Sequence, residues 1–181
     1  MTSKDLINSV IELQKQYENN LPPVDSWSPE LSGDIDIRID REGRWFHEGD
    51  PIERRTLVTL FSSILKREGD DHFLVTPVEK WRIKVDVAPF LITALRVEGE
   101  PPSQALIFET NVGNEVLLSA ANPLRMVMSG AGESLPIVMV RNGLEALLSR
   151  SVFYEMANNW AQNDEERYFV ESAGEYFWLN D

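Results

Sequence analysis

The stretch Asp50-Pro51-Ile52-Glu53-Arg54-Arg55-Thr56-Leu57-Val58-Thr59-Leu60-Phe61-Ser62-Ser63-Ile64-Leu65-Lys66-Arg67 decides the reading of the fold. Asp50 can accept from the orphan amides of a first helical turn, Pro51 needs no donor there, and Glu53 completes a capping box. Leu57, Val58, Leu60, Phe61, Ile64 and Leu65 then fall in one stripe at the helical period. Gly69 suits the left-handed position that closes a helix. The pattern predicts an amphipathic helix over residues 50–67.

The same signals return at Asn142-Gly143-Leu144-Glu145. Apolar residues from Leu144 to Trp160 cover nearly the whole circumference, which predicts a second, more deeply packed helix over 142–160. Strands flank both helices. Ile35, Ile37 and Ile39 alternate with charges over 34–40, residues 44–47 return as a hairpin, and 72–76 and 81–87 follow the first helix. Around the second helix the corresponding stretches are 124–128, 136–140, 167–171 and 176–179, with middle strands at 90–97, 104–110 and 115–120.

The expected fold is therefore α+β: two tandem β-β-α-β-β units with additional middle antiparallel strands and an N-terminal helix and strap. The bounds are 1–33 for the helix and its Pro- and Trp-bearing strap, 34–98 for the first repeat and 99–181 for the second. The first helix, with Ser3 as cap, carries Leu6, Ile7, Val10, Ile11, Leu13 and Tyr17 on one side. On its polar side Lys4 and Lys15 are answered by Asp5, Glu12 and Glu18. A membrane-surface helix needs a basic polar face, so this one is expected to dock on the core or on a partner subunit.

With 43% hydrophobic residues in 181, the chain can bury the core of one domain or two small ones. The formal net charge of −13 repels polyanions and argues against nucleic acid and anionic membranes as partners. A small anion in a locally basic pocket is compatible with it. The sequence has no cysteine, which removes disulfides, thiolate metal sites and cysteine nucleophiles. No apolar run is long enough to span a bilayer, and Met1-Thr2-Ser3-Lys4-Asp5 lacks a signal-peptide pattern, so a cytoplasmic location is expected.

Catalytic patterns are scarce. His47 and His72 each sit beside a turn or strand end, and no nucleophile elbow or P-loop occurs. Ser129-Gly130-Ala131-Gly132 lies between two strands and reads as a hairpin tip. Asp70-Asp71 and Glu165-Glu166 lie in turn-like, solvated sequence. No catalytic residue, metal site or cofactor is expected, and the chain does not read as an enzyme.

Three groups are candidates for binding. Thr76, Glu79 and Lys80 place a hydroxyl and a charge pair around Pro77 at a strand end, as a site or as a tight connection with a surface ion pair. Arg141, Asn142 and Gly143 fall at the expected second helix start, where free amides favour an anion, with Arg125 in the preceding hairpin. Arg150, set among apolar residues, needs an anionic partner, either an acidic side chain or a ligand. Arg54 falls on the core-facing side of the first helix, pointing into the same seam or snorkelling past it.

Gly43-Arg44-Trp45, Pro51-Ile52, Leu60-Phe61, Leu74-Val75-Thr76-Pro77-Val78-Glu79-Lys80, Ala88-Pro89-Phe90, Thr110-Asn111-Val112-Gly113 and Val140-Arg141-Asn142-Gly143-Leu144-Glu145-Ala146, in this order, resemble the bacterial family of domain of unknown function (DUF) 1285. The resemblance runs from about Pro22 to Glu155. It implies a duplicated α+β core whose second half is loosely similar to pleckstrin-homology-like folds, a nucleotide-type ligand between the halves and a role in signal transduction. The expected function is thus a cytoplasmic, regulatory ligand-binding protein with a small anionic ligand at the seam of its repeats. The alternative is an interaction module that takes no small molecule and binds a protein partner or a second copy through a sheet edge or the N-terminal helix.

Overall fold

The computed structural model describes residues 3–18 and 20–180. The expected cap on Ser3 lies outside the described side chains. The chain divides into two units, one of residues 1–40 and 44–86, the other of 41–43 and 87–181. Residues 90–98, grouped above with the first repeat, belong to the second unit.

Unit 1 opens with α1 (Ser3–Gln16), whose Leu6 and Val10 are fully buried. A single 3₁₀ turn, Val24–Ser26, follows the prolines. Then come β1 (Leu31–Ile39), β2 (Trp45–His47), β3 (Asp50–Pro51), α2 (Arg55–Ser63), β4 (Leu65–Glu68), β5 (Asp71–Val75) and β6 (Lys80–Val85). They form one sheet in the order β3-β2-β1-β6-β5-β4. Its central pair, β1 and β6, is parallel, and the other pairs are antiparallel. α2 connects one edge strand to the other and packs Phe61 on Trp45, with ring centroids 6.0 Å apart and nearly parallel planes. One of two register shifts in β1 falls between Leu31 and Gly33, where a φ of 146° favours glycine and a Cβ on Gly33 would stand 3.3 Å from the Trp81 ring; the other lies between Asp34 and Arg38.

The expected helix over 50–67 is thus shortened at both ends. Glu48 and Gly49 both have positive φ and make a tight hairpin turn, so Asp50 and Pro51 pair with His47 and Phe46 as an edge strand. Asp50 caps nothing. The N-cap of α2 is Arg54, with no side-chain cap bond. At the other end Leu65–Glu68 pairs with β5, and Gly69 is left-handed because it turns the β4–β5 hairpin, not because it closes a helix. Leu65 fits the apolar stripe of a helix, but it is buried in the sheet, paired with Leu74.

Unit 2 contains β7 (Phe90–Glu98), β8 (Ala105–Thr110), β9 (Glu115–Leu117), β10 (Leu124–Met128), β11 (Ser134–Arg141), β12 (Leu144–Leu148), α3 (Arg150–Trp160), β13 (Gln162–Asp164), β14 (Arg167–Ser172) and β15 (Glu175–Trp178). β7 to β12 form a sheet in the order β10-β11-β12-β7-β8-β9, again with its first and last strands as a parallel central pair. Read from the other edge, this is the order of the first sheet. The α+β class and the two tandem units hold, but what repeats in strand order is β1–β6 and β7–β12, not the segments around the two helices. No helix joins β9 to β10.

The second expected helix is corrected as well. Asn142 and Gly143 have φ of 47° and 79°, so the dipeptide is a two-residue hairpin turn between β11 and β12. Leu144–Leu148 lies between β11 and β7, buried on both faces, which accounts for an apolar run without alternation. The helix begins at Arg150, with Ser149 as N-cap accepting from the Val152 amide. β13, β14 and β15 make a separate three-stranded sheet. The buried Ser172 hydroxyl ties it to the six-stranded sheet, accepting from the Leu106 amide and donating to the Leu118 carbonyl.

Candidate functional site

The candidate residues fall on both units. In unit 1, Arg54 is exposed rather than core-facing, and its carbonyl accepts from the Leu57 and Val58 amides. The Thr76 hydroxyl accepts from the Val78 and Glu79 amides, closing the tight connection from β5 to β6. Glu79 and Lys80 are not a charge pair. Lys80 donates to Glu68 at 2.8 Å and holds that carboxyl below the usual carboxylate range, while its amine sits over the Phe73 ring. Glu79 turns inward, 4% exposed, and its carboxylate oxygens have no hydrogen-bond partner among the described residues.

In unit 2 the arginines expected near one helix start have separate partners. Arg125 on β10 is bound to Glu145 on β12, two strands away in the same sheet. Arg141 donates to Asn114 Oδ1 at 3.2 Å and lies over the Phe90 ring at 5.0 Å. Asn142 and Gly143 form the β11–β12 turn, so there is no helix N-terminus at Arg141. Arg150 is 80% exposed and stands 3.7 Å from Glu133.

Glu133 is the centre of a site that sequence reading missed. Arg41 grips it with two parallel bonds, Nη1 to Oε2 and Nη2 to Oε1, each 2.7 Å. This pairing lowers the carboxyl below its ordinary range and raises Arg41 above that of a free guanidinium. The β10–β11 turn presents Glu133: Ser129 Oγ accepts from its amide, and the Ser129 amide donates to its carbonyl. The Ser129–Gly132 stretch is therefore the hairpin tip expected of it. Arg41 is held by what happens at Gly43, whose carbonyl accepts from Asn111 Nδ2. Arg41 and Glu133 are 92 positions apart, and such a pair leaves no local trace in a sequence.

The pair stands at a cleft of about 500 Å³ lined by Arg41, Glu42, Leu91, Leu147, Leu148, Ser149 and Arg150. A second hollow of about 310 Å³ shares Arg41, Leu147, Leu148 and Arg150 and adds Glu133, Pro136, Phe153 and Tyr154. Leucines from the parallel pair β7–β12 thus form an apolar floor, bordered by the guanidinium groups of Arg41 and Arg150 and the carboxylates of Glu42 and Glu133. Such a surface can take an anion that also carries an apolar or ring portion. Among the described residues, no group of three His, Asp or Glu side chains is arranged to hold a metal ion. No described helix is long and apolar enough to cross a membrane.

Architecture and site together define a two-unit α+β protein, each unit built on a six-stranded sheet with a parallel pair at its centre. The chain belongs to the DUF1285 family: residues 22–88 match its N-terminal domain of unknown function and 89–179 its C-terminal domain. A solved DUF1285 protein from Silicibacter pomeroyi DSS-3 is 42% identical, with a TM-score of 0.86 over 94% of this chain and 93% of that one. Another, from Shewanella baltica OS155, is 28% identical, with a TM-score of 0.54 over 67% of this chain and 90% of that one. No curated protein matches the chain.

Proposed function

We propose that this is a cytoplasmic, regulatory ligand-binding protein whose second unit takes a small anion of nucleotide type in the cleft at Arg41 and Arg150. One observation carries the reading: two guanidinium groups share a single, partly exposed carboxylate above an apolar floor. Guanidinium forks match phosphate and carboxylate oxygens in pairs, and a ligand anion can replace Glu133 between them. Phe153 and Tyr154 in the adjoining hollow supply ring faces for a base. Of the arginines singled out in the sequence, Arg150 belongs to this site, while Arg125 and Arg141 are engaged elsewhere.

A thermal-shift screen of the full chain against nucleotides and common anionic metabolites tests the reading, because a ligand bound only by the folded state raises the melting temperature. Calorimetry on Arg150→Glu then locates any hit; at 80% exposed, Arg150 can be changed without disturbing the fold. A chain that binds none of these anions at millimolar concentration is not a receptor for them. Unchanged affinity in Arg150→Glu moves the ligand elsewhere. The rival reading, an interaction module without a small ligand, is favoured by the exposed aromatic face of the last sheet.

A further inference from the structure

The outer face of the three-stranded sheet carries more aromatic surface than the fold uses. Cross-strand register places Phe169 opposite Trp178 and Glu171 opposite Tyr176, so these side chains share one face, while Val170 and Phe177 turn inward and are buried. The rings form a ladder: Phe169 meets Tyr176 edge-on at 5.1 Å and Trp178 at 5.3 Å. Tyr176 nevertheless remains 60% exposed. At the end of the ladder the Arg167 guanidinium lies 3.9 Å from the centre of the Trp178 ring. Asp164, paired in register with Arg167, flanks the same end.

The exposed charge of this face gathers at its β13–β14 end and is mostly acidic. Asp164, Glu165 and Glu166 form an exposed acidic rim around Arg167, whereas Glu171 is buried and Glu175, opposite Ser172, projects from the other face. An aromatic row rimmed by carboxylates attracts a cation that can also lie flat on a ring, and guanidinium does both. Lysine, a strongly hydrated point charge, is served by the rim but gains less from the rings. Arg167 on Trp178 is the intramolecular instance of the contact.

We propose that this face is a docking surface for an arginine-bearing peptide segment of a partner protein, whose guanidinium groups stack on Tyr176, Phe169 and Trp178 within the acidic rim. Arg167 occupies one end of the ladder and competes with an incoming arginine for Trp178. A single-stranded nucleic acid would also stack on such rings, but its phosphates meet the acidic rim and a chain of net charge −13.

The test is fluorescence anisotropy of labelled hexa-arginine and hexa-lysine peptides, and of an oligouridylate, titrated with the full chain. Hexa-arginine should bind, with hexa-lysine weaker by roughly fivefold. Tyr176→Ala, which leaves the charge unchanged, should weaken hexa-arginine binding by about tenfold. Arg167→Lys, also of unchanged charge, should strengthen it by vacating Trp178. Circular dichroism establishes that each variant is folded. Equal affinity for the two peptides, or a folded Tyr176→Ala protein that binds as the wild type does, leaves only Coulombic attraction and overturns the proposal. So does failure to bind hexa-arginine, or a preference for the oligouridylate.

Discussion

Asn111 clamps Gly43: its Nδ2 donates to the Gly43 carbonyl at 3.0 Å while its Oδ1 accepts from the Leu91 amide at 3.1 Å. The clamp fixes the tripeptide that carries Arg41 and leaves no room for a side chain. A Cβ on Gly43 would stand 2.7 Å from Asn111 Nδ2 and 3.1 Å from Leu91 Cβ, at a φ of 74°. Gly43→Ala should therefore cost about 2 kcal/mol or more, combining left-handed strain with the displaced carboxamide. Asn111→Ala should cost about 1–3 kcal/mol through two unmade bonds. Urea denaturation of both single variants and the double variant measures this. Fully additive losses would show that the two residues are not coupled.

On the proposed reading, Glu133 holds the place that the ligand anion takes. Glu133→Gln keeps the shape of the β10–β11 turn but removes the charge shared by Arg41 and Arg150. For any anion found in the thermal screen, affinity should rise roughly threefold to fivefold, the scale of one exposed ion pair. Arg41→Lys should lower affinity, because an ammonium cannot reproduce the two parallel bonds. Calorimetry at two salt concentrations reads both changes. A weaker complex with Glu133→Gln would mean that the carboxylate supports the ligand instead of competing with it.

Three carboxyls are held below their ordinary range in the folded state. Glu133 is lowered chiefly by its bonds from Arg41, Glu68 by that from Lys80, and Asp86 by those from Arg38. A carboxyl lowered in the folded state binds protons more readily when unfolded, so its contribution is present above the ordinary carboxylate range and is lost as pH falls toward the folded values. Urea midpoints should hold from neutral pH to the top of that range and fall below it. Asp86→Asn and Glu68→Gln should each flatten the decline. A midpoint that rises on acidification would reverse the sign of the argument.

How far the sequence reaches is clearest where it misleads. Alternation in Ile35, Ile37 and Ile39 located β1, and the Ser129–Gly132 turn was legible from its composition. Asn142-Gly143 carried two meanings, a helix cap and a hairpin turn, and the positive φ of both residues selects the turn. Leu144–Leu148 offered no arbitration, because a central strand buried on both faces has lost its period of two. The site depended on Arg41 meeting Glu133, a partnership made by the fold and invisible to any local pattern. The doubled strand order was hidden for the same reason: pairing between β1 and β6, or β7 and β12, is a long-range choice.

Glu79 presents a separate energetic question. Its carboxylate is buried just before β6, and neither oxygen has a hydrogen-bond partner among the described residues. The Thr76 hydroxyl serves the backbone of the turn instead. Glu79→Leu should raise stability by on the order of 1 kcal/mol, since an apolar side chain of similar size carries no desolvation cost. A clear loss in the same urea measurement would mean that the carboxylate is satisfied in solution.

The revised helix and turn boundaries make opposite demands on three residues. Ser149 accepts from the Val152 amide at the start of α3, so Ser149→Ala should cost about 1 kcal/mol. Asp50 lies on an exposed edge strand, and Asp50→Ala should change stability by no more than about 0.5 kcal/mol. Asn142, at a φ of 47°, is the sharpest case. Glycine adopts that conformation freely, so Asn142→Gly should be close to neutral. A β-branched side chain there meets the following carbonyl, and Asn142→Val should cost about 1–2 kcal/mol. Denaturant unfolding of the four variants separates the two assignments. Were Asn142 a helix cap, Asn142→Val and Ser149→Ala would exchange their rationale, and Ser149→Ala would be silent.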